Sequence, residues 1–447
     1  MSEQLIANLA NAFKPVPLPA DSPFYVDLKA VRADADVCQD LGRKIIRALP
    51  TDYTHQLYTG HRGGGKSTEL LRLKKYLEQK NCFVVYFAAD EDDIDPEDAQ
   101  YTDILIACTR HLLEQLKQAN STPLKNWIKS RWQDLIDLAL TEIKVEDVKL
   151  ETGDLIKYFG KLSAAIRAIP SQRQEIRNKI NPHTVTLLTA LNEFIDNSKT
   201  VLDDSTKLVV IVDNLDRIVP IYRRDHKTNH DEIFLDRANQ LKGLNCHLIY
   251  TIPISMAYSN RANDLRDIYD NDPMVLPMIM IRNLDRTINP DGMAKIKAII
   301  EKRTQQFLPK KKLETDIFES QEVLERLCLM TGGHVRNLIL LMQTALDHVD
   351  ALPITAKAAQ RAITQARDVY QRTVEHEQWK ILAKVYRTNE IQNDEAHRKL
   401  LFNRCILQYA YFDADAELKS WYDVHPLITE IKEFKDAILS QPTPGGV

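Results

Sequence analysis

Glycine is scarce in this chain, at 13 of 447 residues, and four of those (Gly60, Gly63, Gly64 and Gly65) crowd into a single short stretch. Cysteine is also sparse. Cys38, Cys82, Cys108, Cys246, Cys328 and Cys405 are scattered, form no C-x-x-C pair and have mostly apolar neighbours. That excludes a disulfide framework, argues against a zinc site and reads as small core hydrophobes in a reducing compartment. No run approaches the roughly 18 apolar residues a membrane helix needs, and the N-terminus lacks a basic region followed by a long apolar stretch. The chain is therefore expected to be cytoplasmic and not membrane-spanning. Neither charge sign dominates, with 59 Lys and Arg against 63 Asp and Glu and a net charge of −4, so a wholly basic nucleic-acid binder is excluded, although a local basic face is not. The chain carries no G-x-S-x-G, H-E-x-x-H or C-G-x-C-W, and no internal repeat. Its one biased tract, the acidic run ADEDDIDPEDA at 89–99, reads as a solvated loop.

With 44% apolar and 27% charged residues, the composition is that of an ordinary globular protein. At this length two or three domains are expected. A proline-rich stretch, Lys14 to Pro23, suggests an arm or linker over residues 1–23. Apolar runs at Gln56 to Thr59, Cys82 to Ala89, Leu208 to Leu215, Cys246 to Ile254 and Val275 to Leu284 have strand character. Near-continuous runs such as FVVYF and LVVIV, separated by helical periodicity, fit a parallel sheet covered on both faces. The spacing thus predicts an α/β domain over 24–288, with an insertion at about 121–181 that carries Trp127, Trp132, the alternating EIKVEDVKLE and the charged SQRQEIRNKI. From residue 289 the pattern is helical, predicting a helical lid at 289–374. Two helices followed by ILQYAYF and WYDVHPLI predict a winged-helix-like unit at 375–440, with a tail at 441–447.

The stretch GHRGGGKST, Gly60 to Thr68, fits G-x-x-x-x-G-K-[ST] between an apolar run and a helical one. In such a loop successive backbone N–H groups wrap an anion at a helix N-terminus, and glycine permits the wrap. Gly60, His61, Arg62, Gly63, Gly64, Gly65, Lys66, Ser67 and Thr68 are the candidate triphosphate cradle, with Lys66 reaching the outer phosphates and the Ser67 hydroxyl on Mg²⁺. A partner acid at the end of a neighbouring strand is required. LVVIVDNLDR supplies Asp213 for the metal. The next position is Asn214, where many such ATPases carry a glutamate that handles the attacking water. Asp216 is the nearest carboxylate able to act as base, and slow turnover is expected. TGGHVRNLI places Arg336 at a helix start, suited to sensing a γ-phosphate. Thr251 and Ser255 are weaker sensing candidates, and Arg217, Arg261, Arg266, Arg282 and Arg286 are candidates for a finger offered to a neighbouring subunit. His226 and His230, with Asp225 and Asp231, have the i,i+4 spacing of metal ligands but no dedicated third ligand nearby.

Taken together, GHRGGGKST, LVVIVDNLDR, TGGHVRNLI and the terminal winged-helix pattern resemble the AAA+ and STAND branch of P-loop ATPases, whose origin-recognition members and prokaryotic STAND proteins share this plan. The loop is also similar to that of bacterial ATP-binding proteins reading G-H-R-G-x-G-K-S-T-E-L. The resemblance implies ATP and Mg²⁺ as ligands, Asp213 on the metal, Arg336 on the γ-phosphate, and a nucleotide-dependent conformational or assembly switch acting as a homo-oligomer or with a protein partner, in bacterial defence. The alternative it implies is a DNA-handling ATPase using His397, Arg398, Lys399 and Arg404. The acidic turn DADAELK makes that the less favoured reading.

Overall fold

The structure, a computed structural model, describes residues 2–130, 151–198, 201–203, 205–223 and 227–440. Trp132, residues 142–150 of the alternating segment, Asp225, His226 and the tail lie outside the described residues. Five strands, β1 (His55–Gly60), β2 (Cys82–Ala88), β3 (Lys207–Asp213), β4 (His247–Thr251) and β5 (Met274–Leu276), form a wholly parallel sheet in the order β2-β3-β4-β1-β5. The alternation of a strand decides which residue meets which layer. On β3, Val209 and Ile211 pack against Leu70, Leu73 and Leu77 of α2 (Lys66–Glu78), whereas Val210 and Val212 join the core on the opposite face. The fifth strand is much shorter than the run Val275 to Leu284 that predicted it. Pro277 has no N–H to continue the ladder, and beyond it the backbone bonds elsewhere, Met278 N to Gln408 O (3.0 Å) and Met280 N to Val31 O (3.1 Å).

The opposite face is covered by α3 (Tyr101–Gln115), α4 (Thr122–Ser130), α5 (Thr152–Ala168), α6 (Pro170–Ile180) and α7 (Thr184–Ser198). The described residues of the segment read as an insertion are thus part of the main core, where Trp127, Tyr158, Phe159 and Ile176 share one apolar cluster with Phe87 and Val210. The acidic run is only partly solvated, with Glu91, Asp92 and Glu97 exposed. Asp93 is buried, bonded to Arg110 at 3.0 Å and His111 at 2.9 Å. Asp95 and Asp98 pair with Arg173, and Asp98 and Asp103 with Arg177, both arginines being buried on α6. Charge density alone predicted solvent; the missing information was that two arginines 70-odd residues away fold over it.

The helical region comprises α8 (Pro290–Thr304), α9 (Gln321–Leu329), α10 (Val335–Leu346) and α11 (Ala356–Thr373), followed by α12 (Gln378–Thr388), α13 (Glu395–Phe402), an antiparallel hairpin of β6 (Ile406–Phe412) and β7 (Leu418–Val424), and α14 (Lys432–Ser440). One apolar core runs through all of it, from Ile296 and Leu341 to Leu401, Ile406 and Phe434. The N-terminal arm is anchored in the same core, because its helix, α1 (Ser2–Ala12), and the residue just beyond it place Leu9 and Phe13 there with no exposure. No helix among the described residues is long and apolar enough to cross a membrane.

Arg177 and Asp103 are each at most 1% exposed, and removing one member of a buried pair strands the other charge. Arg177→Ala is expected to lower unfolding stability by about 3–5 kcal/mol, measurable by urea denaturation, whereas a surface pair such as Lys311–Asp316 should be nearly neutral when cut.

Candidate functional site

The glycine-rich loop leaves β1 at the C-terminal edge of the sheet and enters α2, with Gly65 as N-cap at φ +109°. Gly63 also has positive φ, +83°, and serves a second purpose that spacing did not show. A Cβ there would lie 2.7 Å from Arg336 Cβ and 2.8 Å from His334 Cε1, so glycine is what lets the start of α10 approach the loop. That approach is bonded: Arg336 N donates to Gly63 O at 3.1 Å, and His334 Nε2 to Arg62 O at 2.7 Å. From the other side, Gln408 N of β6 donates to His61 Nε2 at 2.9 Å. The His61 side chain is thus committed to the hairpin, and Thr68 Oγ1, at the cleft, accepts from Leu18 N of the arm at 3.1 Å.

Lys66 is buried and held by Gly60 O (2.8 Å), His61 O (3.1 Å) and Asp216 Oδ2 (2.8 Å). Asp213 ends β3, where its Oδ2 accepts from the Tyr86 hydroxyl at 2.8 Å and its Oδ1 from Asn214 N at 2.7 Å. Burial first, and Asp216 second, push its carboxyl up, while hydrogen bonds including one from Ser67 pull it down. A divalent cation between Ser67 and Asp213 fits this donor set, because it would offset the cost of a buried carboxylate beside another. Asn214 has a physical reason to be asparagine. Its φ is +65°, a region asparagine tolerates better than glutamate, and its amide donates to Asp90 Oδ1 at 2.7 Å, where a second carboxylate would be repelled. Asp90 also accepts from Arg217 at 2.6 Å.

The loop borders a cleft whose polar wall includes Arg62, Lys66, Asp216, Arg217 and Arg336. The structure brings these predicted residues together. Burial first, then Arg217 and Arg404, disfavours the charge on Arg336, with Asp216 and Asp90 opposing. Thr251 is occupied otherwise, its hydroxyl accepting from Leu215 N at 3.0 Å. Ser255 is buried, at 9% exposure. Of the finger candidates, Arg261 is tied to Asp231, Asp236 and Asp264, Arg282 to Arg286 O, and Arg286 lies over the Tyr386 ring; Arg266 is exposed. His230 is buried with Nε2 on Ile218 O at 2.8 Å. Of the residues proposed for DNA, His397 is buried against Asp394, Lys399 pairs with Glu375, Arg398 bonds Asn393, and Arg404 lies close enough to His61 and His334 to disfavour their protonation.

Two residues at this cleft escaped the sequence reading. Arg32, 2% exposed, donates from Nη2 to Gly64 O at 2.7 Å. Arg303, on α8, lines the other wall with Phe24, Val26, Ile299 and Ile339. Arg303 did leave a signal, being a charge on the apolar stripe Ile296, Ile299, Ile300; Arg32 left none.

Residues 51–222 match the KAP family P-loop domain, and the sheet domain is a P-loop NTPase domain. No curated protein matches the chain. Among solved structures, the chain is similar to Cdc6p from Pyrobaculum aerophilum (TM-score 0.41, 11% identity, covering 96% of this chain and 97% of that one). It is also similar to the Aeropyrum pernix ORC2 protein in ADPNP–ADP complexes (0.42, 10%, 96% and 98%) and to the Walker-type ATPase paby2304 of Pyrococcus abyssi (0.39, 12%, 91% and 98%).

Two histidines, His61 and His334, tie the loop to the hairpin and the helical region, and a third, His425, joins the end of the hairpin to α10, its Nε2 meeting the Asn337 amide at 2.7 Å. Burial, then the Lys66 charge, pushes His61 down to about 3, and burial, then Arg404, takes His425 to about 3, from 6.5. The unfolded chain takes up these protons below about pH 6.5 while the folded one refuses them, so stability is full above that pH and falls as pH drops toward 3. Each should cost about 1–2 kcal/mol at pH 5. His61→Gln, which keeps an acceptor for Gln408 N, is expected to lose less Tm between pH 7 and pH 5 than the wild type.

Proposed function

We propose that the protein binds ATP with Mg²⁺, hydrolyses it slowly, and uses the bound nucleotide to set the orientation of the helical region and terminal hairpin relative to the sheet. Assembly with itself or with a protein partner would then follow, in bacterial defence. The observation that carries the reading is that a loop of phosphate-binding geometry is bonded from outside its own sheet by the arm, by α10 and by β6. Whatever moves the loop moves all three. The division at residues 24, 289 and 375 is part of the same proposal.

Within this reading Lys66 exchanges its Asp216 partner for the outer phosphates, and Arg336 and Arg217 neutralise the γ-phosphate from the helical and sheet sides. Mg²⁺, when held by Ser67 and Asp213, supplies charge neutralisation of the triphosphate. Release from Lys66 leaves Asp216 Oδ2 free to accept a proton from the attacking water. Asn214 supplies no basic oxygen, because an amide carbonyl is a far weaker base than a carboxylate, and its Nδ2 is held by Asp90; this supports slow turnover. The DNA-handling alternative is weaker because its basic residues are paired, buried or close to the loop, while the hairpin turn keeps Asp413, Asp415 and Glu417.

Lys66→Ala is expected to weaken ATP binding about 30-fold or more, the loss of charge-assisted contacts to phosphate, by calorimetry; unchanged affinity would refute the site. Light scattering should give different masses with ADP and with a non-hydrolysable ATP analogue. Equal masses, or duplex DNA binding with a steep salt dependence, would count against the switch.

A further inference from the structure

We propose that Arg303 reads the nucleotide's base, donating from its guanidinium to an unsubstituted ring nitrogen of the adenine. The inference rests on the nucleotide reading of the cleft and adds a base-recognition residue to it. Arg303 is 5% exposed, Nη1 donates to Ile299 O of its own helix at 3.0 Å, and Nε has no partner. Its guanidinium lies 5.4 Å from the centroid of the Phe24 ring. No carboxylate among the described residues pairs with it, and burial alone, unopposed by any acid, lowers its pKa to about 10.

A buried cation without a counter-charge is among the costlier arrangements in a fold. The other buried arginines here have compensation that Arg303 lacks: Arg173 and Arg177 are paired with aspartates, and Arg32 has Glu69 nearby in favour of its charge. Arg303 also borders the cleft, on the wall formed by the arm and α8, and its contacts, Ile299 and Phe24, are not in the phosphate loop. The apolar side chains around it, Phe24, Val26, Ile299 and Ile339, suit a flat ring. Guanidinium only donates, so its complement is an acceptor, and adenine offers ring nitrogens as acceptors. The triphosphate has its own cradle at the loop.

The test compares ATP with tripolyphosphate, which has the phosphates and no base, on the full chain by calorimetry. Arg303→Met, an unbranched apolar replacement, is expected to weaken ATP about tenfold, to leave tripolyphosphate affinity unchanged, and to keep or raise Tm without nucleotide, since the uncompensated charge is gone. Arg303→Gln provides a second, polar variant should the first fold poorly. Among 1-, 3- and 7-deaza-ATP, one should bind the wild type about tenfold more weakly than ATP and bind Arg303→Met no more weakly than ATP does. Equal loss of ATP and tripolyphosphate in both variants, unchanged ATP affinity, or no deaza analogue that the variants cease to discriminate would each overturn the assignment. Failure of the wild type to bind either ligand would instead overturn the nucleotide reading, and this inference with it.

Discussion

The rest of the architecture hangs on the backbone of one loop. Gly63 O accepts from α10, Gly64 O from Arg32, Arg62 O from His334, and the side chains of His61 and Thr68 accept from β6 and from the arm. A phosphate-binding loop presents its N–H groups inward, which leaves its carbonyls pointing outward and in need of donors. Here those donors come from segments remote in sequence. The same geometry that would cradle an anion therefore fixes where the helical region and hairpin sit, and the loop's two faces cannot be altered independently.

Charge is used with similar economy on both sides of the sheet. Away from the loop, Asp95 and Asp98 of the run after β2, with Asp103 of α3, meet the buried arginines of α6 and tie that helix down over the sheet. Next to the loop, Asp90 from the same run holds Asn214 and Arg217. One acidic segment thus links the packing of the helical layer to the residues beside Asp213. The arrangement explains why an amide at position 214 is stable there: its left-handed backbone and its acceptor neighbour both favour asparagine over a carboxylate.

Sequence and structure agree where the physics is local. Continuous β-branched runs were enough for the sheet and its parallel sense, and 3.6-residue spacing for the helical character of the chain from residue 289. They part where a residue's role depends on a partner far along the chain. The acidic run reads as solvated until Arg173 and Arg177 cover it. Val275 to Leu284 reads as one strand until Pro277 ends the ladder and the hairpin takes the next backbone donor. Arg32 and Arg303 carry no motif, and only folding brings them to the cleft that the loop borders.

The sequence by itself determined the loop, its glycines and the strand-end aspartate, because a cradle of backbone N–H groups constrains residue type at fixed spacing. Tertiary structure alone decided that Gly63 also admits the start of α10, that Lys66 meets Asp216, and that a buried, unpaired arginine borders the same cleft. Each of those depends on a distance between segments that no periodicity encodes.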